Sequence, residues 1–293
     1  MSKHHTRRRR KNRVRVPRFS SDVIEMLIVV KIGGSILKDV PSSLVSDIKK
    51  VLSENQIVLV HGGGKGVTTI ASKLGKKQEF VVSPNGFRSR YTDKETMKIF
   101  TMVMAGKINK QIVSALQQHG IPVVGLSGLD GFLVRAKRKK RLVIVDERER
   151  KRIIDGGYTG KVSQVNAPLL RLLLENGYVP AIAPVAVSEE YEPLNVDADR
   201  TAANIAGALK ADKLILLTDV EGLTLDGELV PKLVISKVEE ALPKIGGGMI
   251  TKVYAAMEAI EQGVGEVVIS SGIRKMPISS SLNHEGGTVI SLE

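Results

Sequence analysis

The segment VKIGGS sets Lys31 at the end of an apolar run and follows it with Gly33 and Gly34. A glycine pair lets backbone N–H groups come close to an anion, and a lysine beside them adds a point charge. That combination suits a phosphoryl group in transfer. GGGMITKVYAA repeats the pattern, with Lys252 behind Gly246, Gly247 and Gly248. Two lysines near one phosphoryl group would neutralise charge on both sides of it. VHGGGKG adds Gly62, Gly63 and Gly64. It is not a Walker A loop, which needs G-x-x-x-x-G-K-S/T. Nor is it a lipase oxyanion hole: no G-x-S-x-G elbow accompanies it, and Gly125-Leu126-Ser127-Gly128 fails the spacing. What remains is a triglycine anion nest.

Three further segments carry polar chemistry. GFRSRYTD places Arg88, Arg90 and Tyr91 in an expected loop, and Thr92 or Asp93 could cap a following helix. Arginine forks bind carboxylates with two parallel hydrogen bonds. LNVDADRTAANIA sets Asn195, Asp197 and Asp199 at alternate positions before a helix. One aspartate can cap that helix, and an acid beside a nucleotide can orient lysines or hold Mg2+. LLTDVEGL ends an apolar run with Thr218 and Asp219, then Gly222.

The elements that must position these residues alternate. LIVVKI (27–32), IVLVHGGG (57–64), IPVVGLSG (121–128), YVPAIAPVAV, KLILLTDV, GEVVISS and GGTVIS read as strands, and RLVIVD (141–146) as a short one flanked by charge. Residues 42–53 and 94–118 carry apolar side chains at helical spacing. Residues 168–177 read as a helix closed by Gly177, and 198–211 as another. Strands that are continuous Val/Ile/Leu runs, alternating with helices, predict a mostly parallel sheet covered on both faces. Ligands bind at the carboxyl ends of such strands, which is where the glycine clusters fall.

Composition removes several function classes. The 293 residues are 42% hydrophobic, enough for one large or two modest domains. With no cysteine, neither a disulfide framework nor a thiolate metal site is available, and a reducing cytoplasm is the expected setting. The five histidines are scattered apart from His4 and His5, so no metal site is expected. The longest apolar run is about ten residues, too short to span a membrane. The net charge of +13 is concentrated in two places. Residues 1–25 carry +7 and read as a disordered extension. It could associate with RNA, but the favoured reading is that translation begins at Met26. The stretch RAKRKKRLVIVDERERKR (135–152) carries another +7, and the rest is near −1. A nearly neutral body argues against nucleic acid as the main partner.

VVKIGGS, VHGGGKG, GFR, NVDADRTAANIA, LLTDVEGL and GGGMITKV occur in the order seen in the amino acid kinase superfamily. Over roughly residues 26–293 the chain resembles that superfamily, most of all its acetylglutamate kinase branch. The resemblance implies a three-layer αβα sandwich around an open, mostly parallel eight-stranded sheet. It implies an acyl-substrate lobe over 26–190 and an ATP lobe over 191–293. It implies Lys31 and Lys252 as transition-state lysines and Asp199 as the residue holding both. Gly63, Gly64, Arg88 and Asn195 would bind the acyl substrate. Gly33 and Gly34 would contact phosphate, and Thr218 and Asp219 the nucleotide. ATP with Mg2+ and a homo-oligomer, a dimer or larger, are implied as well.

One departure narrows the substrate. Acetylglutamate kinases usually run from Gly-x-Arg straight into Val-Thr or a similar pair, whereas here Ser89, Arg90 and Tyr91 intervene. This form resembles kinases acting on 2-aminoadipate or glutamate carried on a small acidic amino-group carrier protein, in lysine and sometimes arginine biosynthesis. The basic stretch would then dock the acidic carrier, since complementary charge raises encounter rates and fixes orientation. Its alternative is an ordinary solvated hairpin. A plain N-acetylglutamate kinase is the nearest rival. A non-catalytic or RNA-associated regulator, and kinases of uridylate, carbamate, aspartate or free glutamate, stand further off.

Overall fold

The computed structural model describes residues 26–36 and 40–293. Both readings of the basic stretch 1–25, as a disordered or RNA-associated extension and as sequence before a start at Met26, lie outside the described residues. In chain order the elements begin with β1 (Leu27–Ile32), α1 (Ser42–Val51), β2 (Gln56–His61), α2 (Gly64–Lys73), β3 (Phe80–Val82), β4 (Arg88–Arg90), α3 (Lys94–Thr101), α4 (Asn109–Gln117) and β5 (Val123–Ser127). There follow β6 (Val134–Arg138), β7 (Arg141–Val145), β8 (Lys151–Asp155), β9 (Gly160–Val165), α5 (Ala167–Glu175), β10 (Val179–Ala183), β11 (Val185–Val187) and β12 (Pro193–Asn195). The remainder is α6 (Ala198–Leu209), β13 (Lys213–Thr218), β14 (Thr224–Leu225), β15 (Glu228–Leu229), β16 (Lys232–Val234), α7 (Val238–Ala241), α8 (Gly247–Glu261), β17 (Glu266–Ser271), α9 (Pro277–Leu282) and β18 (Thr288–Ser291).

Eight strands form the central sheet in the order β16-β18-β17-β13-β1-β2-β10-β5. Every neighbouring pair is parallel except β17 with β18. The expected three-layer αβα architecture is therefore the observed one. β1 shows why its sequence is apolar throughout: Val29 packs into the core on one face, and Ile28, Val30 and Ile32 into the core on the other. A strand buried on both faces needs no polar alternation. Smaller sheets, β12-β11-β6-β9 and β4-β3-β7-β8, carry the hairpins. No helix among the described residues is long and apolar enough to cross a membrane.

Two expectations are corrected. The helical stretch 94–118 is interrupted by a π-helical segment, Met102–Ile108, between α3 and α4. Such segments slip in where packing must be re-aimed, and here Met104 and Ile108 lie against Gly63. GFRSRYTD is not all loop. Arg88–Arg90 is strand β4, pairing Phe80 with Arg90 and Val82 with Arg88 across a turn at Gly86, whose φ is 79°. Three polar residues on a sheet edge show no apolar alternation, so periodicity could not reveal them.

Candidate active site

β1 and β2 run parallel with Ile32 opposite His61, so their glycine turns leave the sheet side by side. A Cβ on Gly34 would stand 2.6 Å from the backbone nitrogen of Gly63 and 2.8 Å from its Cα. Only glycine permits that approach. Gly33 is tied to the next strand by its N–H, which donates to the Leu217 carbonyl at 3.0 Å. Among the described residues, the N–H groups of Gly34 and Gly63 donate to no protein acceptor. Both are available to an anion.

Lys31 is the fifth residue of β1 and is 6% exposed. Its Nζ lies 2.7 Å from Asp199 Oδ1, although off the hydrogen-bond axis, so that buried oxygen has no well-aligned donor. Lys252 Nζ donates to Asp199 Oδ2 at 3.2 Å from the sixth position of α8. Asp199 sits in the first turn of α6, where the helix dipole favours a negative charge. Burial alone would raise its carboxyl. The charges of Lys31 and Lys252, with the hydrogen bond from Lys252, outweigh that and hold it below the usual carboxylate range.

Asp197 is the capping aspartate, accepting from the Arg200 N–H at 2.9 Å. It is open to solvent on one side, while the protein crowded around it and then the charge of Asp199 push its carboxyl up. The helix carrying Lys252 begins at Gly246 with no side-chain cap and no acid in its first turn. Two ammonium groups against one carboxylate, free glycine N–H groups and an uncapped helix start are a donor set that fits a polyphosphate. Among the described residues, no group of three His, Cys, Asp or Glu side chains could hold a metal ion.

The remaining expected residues are placed less uniformly. Asn195, at the end of β12, donates from its side chain to Thr92 Oγ1 at 2.9 Å, and its N–H donates to the Tyr158 carbonyl at 2.8 Å. Thr92 therefore locks Asn195, while Asp93 is the residue that caps α3. Thr159, bridged to Asn195, has a buried hydroxyl without a partner among the described residues. Thr218 and Asp219 lie at the end of β13, and the Thr218 carbonyl accepts from the Gly272 N–H at 2.8 Å. Gly64 opens α2, and its carbonyl accepts from Arg90 at 2.8 Å. Arg88 is not gathered into this group. Its guanidinium lies 4.0 Å over the Phe80 ring on an exposed strand. The inward arginine is Arg90, which also donates to Thr68 Oγ1 at 2.9 Å and to Gln78. Sequence reasoning gave Thr92 only as a possible helix cap and passed over Thr159 and His61, although the histidine's place directly before three glycines was a readable signal.

The basic stretch divides between two small sheets. Arg138 is consumed structurally: its Nε donates to the Gly157 carbonyl at 2.6 Å, and it reaches Glu192 at 3.3 Å. Arg150 and Arg152 pair with Asp146. Lys137 and Lys140 have no acidic partner among the described residues, and neither does Lys161 on β9. Lys137 and Lys161 are both exposed and face each other directly across β6 and β9. Like charges so placed cost stability.

An αβα sandwich with a lysine–aspartate–lysine centre at the carboxyl ends of its strands defines a class of phosphotransferases. The sequence profile of the Amino acid kinase family matches residues 26–271, and the chain belongs to that family. A relative from Cenarchaeum symbiosum, provisionally named a LysW-aminoadipate/LysW-glutamate kinase, is 55% identical over 90% of this chain and 99% of its own. The LysW-aminoadipate/LysW-glutamate kinase of Saccharolobus solfataricus is 44% identical, with 90% and 99% covered. Among solved structures, smu.665 from Streptococcus mutans superposes with a TM-score of 0.73 at 28% identity, covering 91% of this chain and 99% of the other.

Proposed function

We propose that the chain transfers the γ-phosphoryl group of ATP to the side-chain carboxylate of 2-aminoadipate or glutamate borne on an amino-group carrier protein. The P–O bond to the β-phosphate breaks, a P–O bond to the carboxylate oxygen forms, and the product is an acyl phosphate. The nucleophile is already an anion, so no proton is abstracted. The obstacle is repulsion between a carboxylate and a polyphosphate, and positioning with charge neutralisation must overcome it. The observation that carries this reading is Asp199 holding Lys31 and Lys252 beside free glycine N–H groups.

In this reading Lys31, Lys252 and the N–H group of Gly34 stabilise charge on the transferring group, while Gly33, whose N–H is taken by Leu217, shapes the turn against the phosphate. Gly63, Gly64 and Asn195 hold the acceptor, Arg88 would have to reach it from the exposed strand β4, and Thr218 and Asp219 meet the nucleotide. Mg2+ would neutralise phosphate oxygens, and its expected ligands are the phosphates themselves. Residues 26–190 form the acceptor lobe and 191–293 the ATP lobe. A homo-oligomer is the expected assembly.

The carrier is supported by the names of the relatives and by Lys137 and Lys161, which lie side by side on an exposed face with no acidic partner among the described residues. The test assays carrier-linked aminoadipate and glutamate beside free N-acetylglutamate. Turnover of the carrier-linked forms is expected; turnover of N-acetylglutamate alone would establish the rival. Reversing Lys137, Lys140 and Lys161 to Glu should raise KM for the linked substrate and leave KM for ATP unchanged. Arg138 is left out because reversing it would break its contacts to Gly157 and Glu192.

A further inference from the structure

His61 ends β2, directly before the three glycines, and is 2% exposed. The tautomer of its ring follows from its neighbours. The Asn109 amide nitrogen lies 2.9 Å from the Ala181 carbonyl, and Asn109 Oδ1 lies 3.1 Å from Lys110 Nζ. A carbonyl only accepts and an ammonium only donates, so this amide has one orientation. Its NH2 group then faces His61 Nε2 at 3.2 Å. Nε2 must accept, so the ring proton sits on Nδ1, which lies 3.0 Å from the Gly62 carbonyl oxygen. From the exposed Lys110 through the buried Asn109 and His61 side chains to the Gly62 carbonyl, each of these contacts then joins a donor to an acceptor.

In a trans peptide the carbonyl and the next N–H point in opposite directions. Holding the Gly62 oxygen against the imidazole turns the Gly63 N–H away from it. That N–H has no protein acceptor among the described residues and lies beside Gly34. We infer that His61 is a positioning residue: its Nδ1–H clamps the Gly62 carbonyl so that the Gly63 N–H is presented to the anion in the transfer site. This rests on the proposed placement of Gly63 at the acceptor.

Two substitutions separate the ring's two contacts. Asn carries its amide nitrogen at the same bond distance from Cβ as Nδ1, so His61→Asn keeps a donor for Gly62 and loses the Asn109 contact. Gln reaches the Nε2 position, so His61→Gln keeps a partner for Asn109 and loses the clamp. A misaligned N–H should cost kcat about tenfold or more, below the hundredfold typical of deleting an oxyanion donor. The expected result is a kcat loss of about tenfold or more in His61→Gln and near-normal kcat in His61→Asn, with KM for ATP steady and whatever the order of their Tm values. If kcat instead follows Tm, or His61→Gln is the better enzyme, the residue is only structural. Histidine-selective 15N NMR of the unmodified protein decides the matter even if both variants misfold. Nδ1 should carry the proton, and a proton on Nε2 overturns the inference. That measurement needs no substrate. A wrong acceptor would therefore leave the tautomer result standing, and a wrong tautomer would leave the proposed acceptor untouched.

Discussion

Lys31 and Lys252 reach the same carboxylate from different elements, one oxygen each, at 2.7 and 3.2 Å. Neither lysine has another acidic partner among the described residues, so Asp199 alone fixes the spacing between them. Asp199→Asn keeps the shape and removes the charge. It should lower kcat by about two orders of magnitude, as loss of transition-state charge stabilisation does, and destabilise the fold by about 3–5 kcal/mol by leaving buried ammonium groups unpaired. Steady-state kinetics and denaturant unfolding check both. Normal kcat in a folded variant would remove Asp199 from the mechanism.

Lys31→Ala and Lys252→Ala are the complementary pair. Each should cut kcat by about a hundredfold or more, while circular dichroism shows the fold retained. An unimpaired variant of either would mean that lysine does not meet the transferring group.

Gly34→Ala should inactivate. The added methyl meets backbone atoms of Gly63, which cannot swing aside as a side chain can. Forcing the two turns apart should cost about 1–3 kcal/mol and separate the N–H groups that face the site. Gly106→Ala is the control. Its Cβ would meet nothing within 4 Å, and helix propensity favours alanine there by up to about 1 kcal/mol. Equal activity in the two variants would show that the glycine contact has no functional consequence.

The two arginines of GFRSRYTD should separate cleanly. Arg90→Ala removes donors from the Gly64 carbonyl, Thr68 and Gln78, and should cost about 2–4 kcal/mol. Arg88→Ala loses only a ring contact, worth about 0.5–1 kcal/mol, and should instead raise KM for the acceptor. Thermal melts and acceptor titrations read the difference. If Arg88→Ala binds acceptor normally, its exposed position is its whole role.

His61 gives stability a pH signature. Its pKa is lowered from 6.5 to about 4, first by burial, with Lys110 adding repulsion against the hydrogen bond to Gly62. Between those values the unfolded chain binds a proton that the folded protein does not. Stability from this group is therefore complete above about pH 6.5 and falls toward pH 4, by about 3 kcal/mol in all. Denaturant unfolding from pH 7 to 4 should show that slope and lose it in His61→Gln. An unchanged slope in the variant would assign the effect elsewhere.

Long apolar strands were legible because burial on both faces leaves no room for polar residues. β1 as LIVVKI is the plainest case. The lysines and Asp199 were legible because glycine clusters and a capped helix start are local patterns. Which of Asp197 and Asp199 would cap was not, since both precede the same helix and only tertiary packing brings Lys31 and Lys252 to one of them. The short strands β4, β6, β8 and β9 escaped because polar and charged residues break their apolar pattern, and β3 because it is only 3 residues long. The π-helical segment escaped because what it packs against, Gly63, is far away in sequence.

The ladder between β1 and β13 runs through the middle of the central sheet, with four strands on either side of it. The four on the β1 side precede residue 190 and the four on the β13 side follow it. A chain cut between residues 190 and 191 would give two fragments, each ending in a bare, apolar strand edge of the kind that pairs with whatever edge it meets. Alone, each fragment should aggregate. Tethered to two proteins that associate, the fragments would zip along five residue pairs and bring Lys31 back to Asp199. The same ladder that unites the fold thus makes it a candidate for a split-enzyme reporter, in which recovered phosphotransfer reports the meeting of the two fusion partners.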